Sequence, residues 1–300
     1  MDNSRPQPSL RREGLIRTIH SSLAIENNTL SLDQVADIID GKRILGPPNE
    51  IREVKNAYEA YELLLTYNPR SLKDLLKAHK VLMTDLTYES GRFRSGGVGV
   101  YDGEKLVHMA PPAALVPELM ADLVTWTKTA EAHPLVKSCV FHYEFVFIHP
   151  FADGNGRMAR MWQTLLLAEW KPVFARLPVE SVIKERQSAY YDAIENSNKK
   201  SDSTDFILFM LTALRDALAE ALNVRTAQEQ ISDRVKNMLE LLGKDELSAA
   251  EIMGRIGLKN RPSFRGHYLL PALAAGLMEM TIPDKPNSSR QKYRRVKIMQ

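Results

Sequence analysis

His149-Pro150-Phe151-Ala152-Asp153-Gly154-Asn155-Gly156-Arg157-Met158-Ala159-Arg160 is the stretch whose reading decides this chain. It lies between two segments with helical apolar spacing, residues 135–148 and 157–170, so it reads as a loop feeding a helix N-terminus. Gly154 and Gly156 allow backbone conformations closed to other residues and let a ligand approach the main chain. The helix that follows offers unpaired N–H groups and the positive end of its dipole, which together suit phosphate. Arg157 and Arg160 stand three apart on its first turn, so both guanidinium groups can reach one anion. Cations oppose the dipole at that end, and two of them imply an anion between them. Asp153 is a hard oxygen ligand suited to a Mg2+ ion that keeps most of its waters. His149, at the other end of the loop, titrates near neutrality and can take a proton from an attacking hydroxyl. The chain has no Gly-Lys-Ser/Thr P-loop, so the nucleotide site rests on this loop alone.

Outward from the loop the pattern is mainly helical. Leu15, Ile16, Ile19 and Leu23 predict a helix over residues 10–25, stopped near Asn27-Asn28. Ser31 with Gln34 forms a capping box for a second helix, which Gly41 ends. Residues 49–67 predict a third, and Ser71 with Asp74 opens a fourth. Helical spacing returns over 114–130, 135–148, 157–170, 181–196, 205–220 and 227–242. Between residues 91 and 112 the pattern changes. Val98, Gly99, Val100 and Tyr101, then Lys105, Leu106, Val107 and His108, are short extended runs around Asp102-Gly103, a turn dipeptide, and predict a β-hairpin. After Gly243 a capping box of Ser248 and Glu251 opens a short helix to Ile256, and a second runs over 262–275. Residues 278–282 and 293–298 flank a polar loop as two strands of a wing would. The expected fold is mainly α with one hairpin, plus a C-terminal winged helix-turn-helix, with boundaries at 1–70, 71–225 and 226–300.

Composition limits the function classes. At 300 residues, 44% hydrophobic and 26% charged, the chain can bury a core without help. Cys139 is the only cysteine, which excludes an intramolecular disulfide and a thiolate-rich zinc site and suits a reducing compartment. No apolar run approaches the ~20 residues of a spanning helix, and residues 1–9 lack a leader pattern, so no membrane contact and a cytoplasmic location are expected. His142, Glu144 and His149 lie close together, but no HExxH motif or third ligand accompanies them.

Residues 149–160 match the signature HxFx(D/E)GNGRxxR of the Fic domain family at every defined position, and the chain resembles that family over about residues 71–198. The resemblance implies a Fic helical fold and an enzyme that transfers AMP from Mg2+-bound ATP to Ser, Thr or Tyr hydroxyls of a target protein, and to itself. It makes His149 the general base, Asp153 the Mg2+ ligand, and Gly154, Asn155 and Gly156 the phosphate-binding loop. Arg157 and Arg160 would hold the β- and γ-phosphates, and Phe151 would anchor the loop in the core. Relatives that phosphorylate instead are altered around the glycine retained here as Gly154. Tyr190-Tyr191 and Asn198 resemble the adenine side of Fic sites, with Tyr191 lining the base and Asn198 bonding it. The hairpin resembles the family's flap, which docks a target by strand addition.

Ser22-Leu23-Ala24-Ile25-Glu26-Asn27 is similar to the (S/T)xxxE(G/N) inhibitory motif of Fic proteins. Under that resemblance Glu26, in the last turn of its helix, pairs with Arg160 and keeps ATP in an unproductive pose. Some members use this glutamate to remove AMP instead, and the sequence leaves that direction open.

A rival reading makes the chain a DNA-binding regulator with the loop as a nucleotide sensor. Residues 244–300 hold eleven basic and five acidic residues, against a net charge of +3 for the whole chain. Arg261, Arg265, His267 and Tyr268 on the second helix, with Arg290, Lys292, Arg294, Arg295 and Lys297 on the wing, form the basic footprint that duplex DNA requires. Such modules also dimerise, so a second copy of the chain is the other macromolecular partner to consider.

Overall fold

In the computed structural model, residues 8–102, 105–243, 245–274, 277–283, 288 and 290–296 are described. They divide into two compact units, residues 1–218 and 219–300.

The first unit is built on a central helix pair. α6 (Pro134–Ile148) and α7 (Asn155–Trp170) are joined by the 149–154 loop. Both are apolar over most of their circumference, as helices buried between two layers must be. On one side, Phe141, Phe145, Ile148, Met158 and Trp162 pack with α1 (Pro8–Ile25), α2 (Leu32–Ile39), α3 (Pro48–Glu62), α4 (Leu72–Leu82) and α5 (Val116–Thr129). On the other, Cys139, Tyr143 and Leu167 pack with α8 (Val179–Glu185), α9 (Gln187–Lys200) and the start of α10 (Thr204–Leu242). Residues from Leu15 to Tyr67 therefore share one core with α6 and α7.

Local signals set many of these boundaries. Ser31 and Gln34 cap α2 reciprocally, Asn27 and Gly41 take left-handed conformations, and Ser71 accepts the Asp74 N–H at the start of α4. Three sequence expectations need correction. The single helix expected over 181–196 is two, α8 and α9, interrupted at Arg186. The two helices expected over 205–220 and 227–242 are one, because no glycine or proline lies between Thr204 and Leu242 to stop it. Glu26 lies just past the end of α1, with its N–H on the Leu23 carbonyl.

β1 (Gly99–Asp102) and β2 (Lys105–Met109) form the hairpin, antiparallel with a register shift between Val100 and Tyr101. Asp102, expected in the turn, pairs with Lys105 and so belongs to β1. Gly103 and Glu104 lie outside the described residues.

The second unit contains α11 (Ala249–Arg255), capped reciprocally by Ser248 and Glu251, α12 (Arg261–Phe264), a wide turn over Arg265–Leu269, and α13 (Leu270–Ala274). β3 (Met278–Met280) pairs antiparallel with β4 (Tyr293–Arg295), and Leu247 bridges to Tyr293. Met238, Ile252, Phe264, Ala272 and Met278 make a core of their own. Helix, helix and two-stranded ribbon follow in the expected order, with strands shorter than expected. Lys297 lies outside the described residues. No helix among the described residues is long and apolar enough to cross a membrane.

Candidate active site at the head of α7

His149 ends α6 in a left-handed conformation, φ 51° and ψ 60°, which turns the chain sharply into the loop. Arg94, a residue sequence spacing gave no reason to single out, locks that turn. Buried to 3% exposure, its Nε donates to the His149 carbonyl at 2.7 Å, and its Nη atoms donate to the carbonyls of Gly96 and Pro111. The His149 Nδ1 faces the Val146 carbonyl at 3.3 Å. A carbonyl can only accept, so Nδ1 carries the proton and Nε2 keeps its lone pair. Burial, the largest influence, lowers the pKa of this imidazole from 6.5 and holds it neutral.

The loop is clamped from below. Phe151 is fully buried and stacks on His79 with centroids 3.6 Å apart. The Gly91 N–H donates to His79 Nδ1, so Nε2–H donates to the Asp153 carbonyl at 3.0 Å; burial brings this histidine down to about 4, and it stays neutral. The Asn155 amide accepts from the Phe151 N–H at 2.9 Å and donates to the Phe151 carbonyl at 2.8 Å. These two bonds brace the loop's own backbone and use one of the two N–H groups of this amide, for which the resemblance implied a phosphate contact. Gly154 has φ +82°, and a Cβ there would lie 2.6 Å from the Met83 sulfur. Gly154, at the N-cap of α7, has no side chain to take up the unpaired N–H groups of the first turn.

The two arginines reach separate carboxylates. Arg160, 2% exposed, donates from Nη2 to Glu26 Oε1 at 2.7 Å and to the Ser22 carbonyl at 2.9 Å, and from Nε to Ser22 Oγ at 3.1 Å. The Glu26 carboxylate lies directly over Gly156, where any Cβ would collide with it. Arg157 donates to Glu53 of α3 at 2.9 Å and to Asp153 at 3.0 Å. Asp153 is the exposed member of the group, its side chain 58% accessible. Among the described residues no cluster of three or more metal-ligating side chains occurs. One exposed carboxylate beside an anion seat fits an ion bound mostly by water and phosphate.

Behind Arg160 lies a buried polar layer that sequence reasoning missed. His142 Nδ1 meets the Gln163 amide oxygen at 2.6 Å and Nε2 meets the Tyr190 hydroxyl at 3.0 Å; burial lowers this histidine to about 3. These contacts give His142 a structural place. Glu180, 1% exposed, accepts from the Tyr61 hydroxyl at 3.1 Å through one oxygen while the other has no partner, and burial pushes it up to about 7.

On the expected adenine side, Tyr190 is buried, whereas Tyr191 is 47% exposed with its hydroxyl 3.4 Å from the Ile25 carbonyl. The Asn198 amide oxygen accepts from Tyr143 at 2.8 Å. His108 ties the end of β2 to α6, its Nε2 bonding the Phe147 carbonyl at 2.7 Å.

The Fic/DOC family model matches residues 69–167, and that of the Filamentation induced by cAMP protein Fic-like C-terminal domain matches residues 233–295. A crystal structure of a Fic family protein from Desulfovibrio desulfuricans G20 shares 53% of its sequence with this chain. It covers 98% of this chain and 90% of its own at a TM-score of 0.73. The chain belongs to the Fic family. Protein adenylyltransferase Fic of Aedes aegypti is 31% identical over 211 residues, which is 66% of this chain and 40% of that protein. Protein adenylyltransferase fic-1 of Caenorhabditis briggsae is 31% identical over 63% of this chain and 38% of its own. The chain therefore spans about two fifths of the curated relatives it matches.

Proposed function

We propose that the chain is a protein adenylyltransferase that transfers AMP from ATP to a hydroxyl side chain of a target protein, and to itself, and that Glu26 holds it inactive. The observation that carries this reading is the pairing of a neutral His149, its Nε2 free to accept, with an uncapped helix N-terminus flanked by Arg157 and Arg160. The hydroxyl oxygen of the target would form a bond to the α-phosphorus while the bond from that phosphorus to the bridging oxygen breaks. Its proton passes to His149 Nε2, and pyrophosphate leaves, its charge met by the first-turn N–H groups of α7 and by the arginines. Asp153 would hold Mg2+, which supplies charge neutralisation on the phosphates. The hairpin edge would bind the target backbone by strand addition.

Glu26 places a carboxylate where a phosphate would sit, over Gly156 and on Arg160. ATP can then engage the loop only with its terminal phosphate displaced, and the α-phosphorus is misaligned. Incubating wild type, Glu26→Gly and His149→Ala with Mg2+ and ATP labelled at the α-phosphate tests both parts. Self-labelling should rise in the first variant and vanish in the second. Equal labelling of wild type and Glu26→Gly would remove the brake, label carried only from the γ-phosphate would indicate kinase chemistry, and loss of AMP from a modified target would indicate the reverse reaction.

A second reading concerns the C-terminal unit. Arg261, Arg265, His267, Arg290, Lys292 and Arg295 are exposed there, which favours a polyanion partner. Arg294 contributes less, since it pairs with Glu246 and Glu279. Binding of duplex DNA that weakens steeply with salt supports this role; no binding at low salt removes it.

A further inference from the structure

Arg157 is nearly as buried as Arg160, and its charge must be met by something other than water. Two carboxylates meet it. Asp153, mostly exposed, is the one that turns to a metal in the function proposed above; Glu53, 20% accessible and on the separate helix α3, is the one that stays. Glu53 has a second bond. Its Oε2 accepts from Asn28 Nδ2 at 2.8 Å, two residues beyond Glu26. The same turn is fixed further to α3, where Glu50 Oε2 accepts from the Thr29 N–H and hydroxyl at 2.7 and 2.9 Å. One side chain therefore touches both the nucleotide loop and the segment that carries Glu26.

We propose that Glu53 is a positioning residue that aligns Arg157 for phosphate and, through Asn28, tethers the Glu26 segment against the loop. The proposal rests on residues 149–160 being the ATP site. A guanidinium held by Glu53 keeps its orientation when Asp153 is drawn away, and its Nε, buried without a protein partner, remains a spare donor. The tether adds to the Glu26–Arg160 pair, so releasing the brake requires the turn over residues 26–30 to leave α3 as well.

The test uses the full chain with Glu53→Gln and Asn28→Ala, each in the wild-type and Glu26→Gly backgrounds. Hydrogen exchange is followed at the amides of residues 26–30, and AMP transfer is followed by KM and kcat for ATP. Both variants should speed exchange at residues 26–30 and raise wild-type self-labelling severalfold. In the Glu26→Gly background, Glu53→Gln should raise KM about tenfold, the loss of one charged hydrogen bond, with kcat changing less. Asn28→Ala should leave KM there unchanged, because Arg157 keeps its partner. Glu53→Asp, which keeps the charge, should recover part of KM and so separate this role from lost packing on α3. Unchanged exchange in Glu53→Gln, or the same KM in all variants, overturns the proposal. If Glu26→Gly transfers no α-label, the ATP reading fails instead, and the exchange rates still decide the tether.

Discussion

Two arginines one turn apart, both withdrawn from water, are each met by a carboxylate from another element: Glu26 for Arg160 and Glu53 for Arg157. Truncating Glu26 takes from the buried Arg160 the carboxylate that meets it, which costs more than an exposed pair is worth, whereas Arg157 without Glu53 keeps only the exposed Asp153. The proposed base has the opposite requirement, since it must be uncharged to act. Burial lowers His149 from 6.5, so the neutral form persists below that value. The acid limb of kcat/KM for AMP transfer by Glu26→Gly should therefore fall below pH 6.5; a limb at or above 6.5 in initial-rate profiles contradicts this assignment. Glu180 gives a second pH signature. Its folded value is raised to about 7, above the ordinary 4.5, so the folded chain binds more protons than the unfolded chain between these values. Stability contributed by the protonated acid is full below pH 4.5 and is lost as pH rises to about 7. Relative to wild type, Glu180→Gln should gain stability between pH 5 and pH 8, by at most on the order of 3 kcal/mol. Urea midpoints at the two values measure it, and a constant difference contradicts it. The residues of the loop were legible in the sequence because chemistry and contiguity coincide there. Glu53 and Glu180 were not: Arg157 is 104 positions from Glu53, and no local pattern marks an acid whose partner arrives by packing.

At the scale of elements, the start of α7 depends on a glycine. Gly154 carries φ +82°, and its missing side chain leaves room for Met83. Gly154→Ala combines a left-handed penalty of about 1–2 kcal/mol with an overlap, and should lower the melting temperature and reduce AMP transfer. Adding Met83→Ala should relieve only the overlap, so the double variant recovers part of the stability; thermal melts that show no recovery argue against the contact. Capping boxes at Ser31 and Ser248 and the stop at Gly41 were readable because each is a local bond between neighbours in sequence. The break between α8 and α9 was not, because no glycine or proline marks it. Asp102, read as a turn residue, pairs with Lys105 within the strand for a related reason. A turn dipeptide indicates that a turn exists, whereas register is fixed by how the two strands pair.

For the whole molecule, each unit carries its own buried core: residues from Ile16 to Ala217 fill two clusters, and residues from Val235 to Tyr293 fill a third. A domain with its own core can melt as its own cooperative unit. Scanning calorimetry of the full chain should therefore resolve two transitions, and a chain ending at residue 222 should keep one and lose the other. Because Arg94, His79, Glu53 and Arg160 all lie in the first unit, the shortened chain carrying Glu26→Gly should still label itself from ATP at a rate within a few-fold of the full chain. A single transition in the full chain, or loss of labelling with the fold intact, would show that the first unit's site depends on the second.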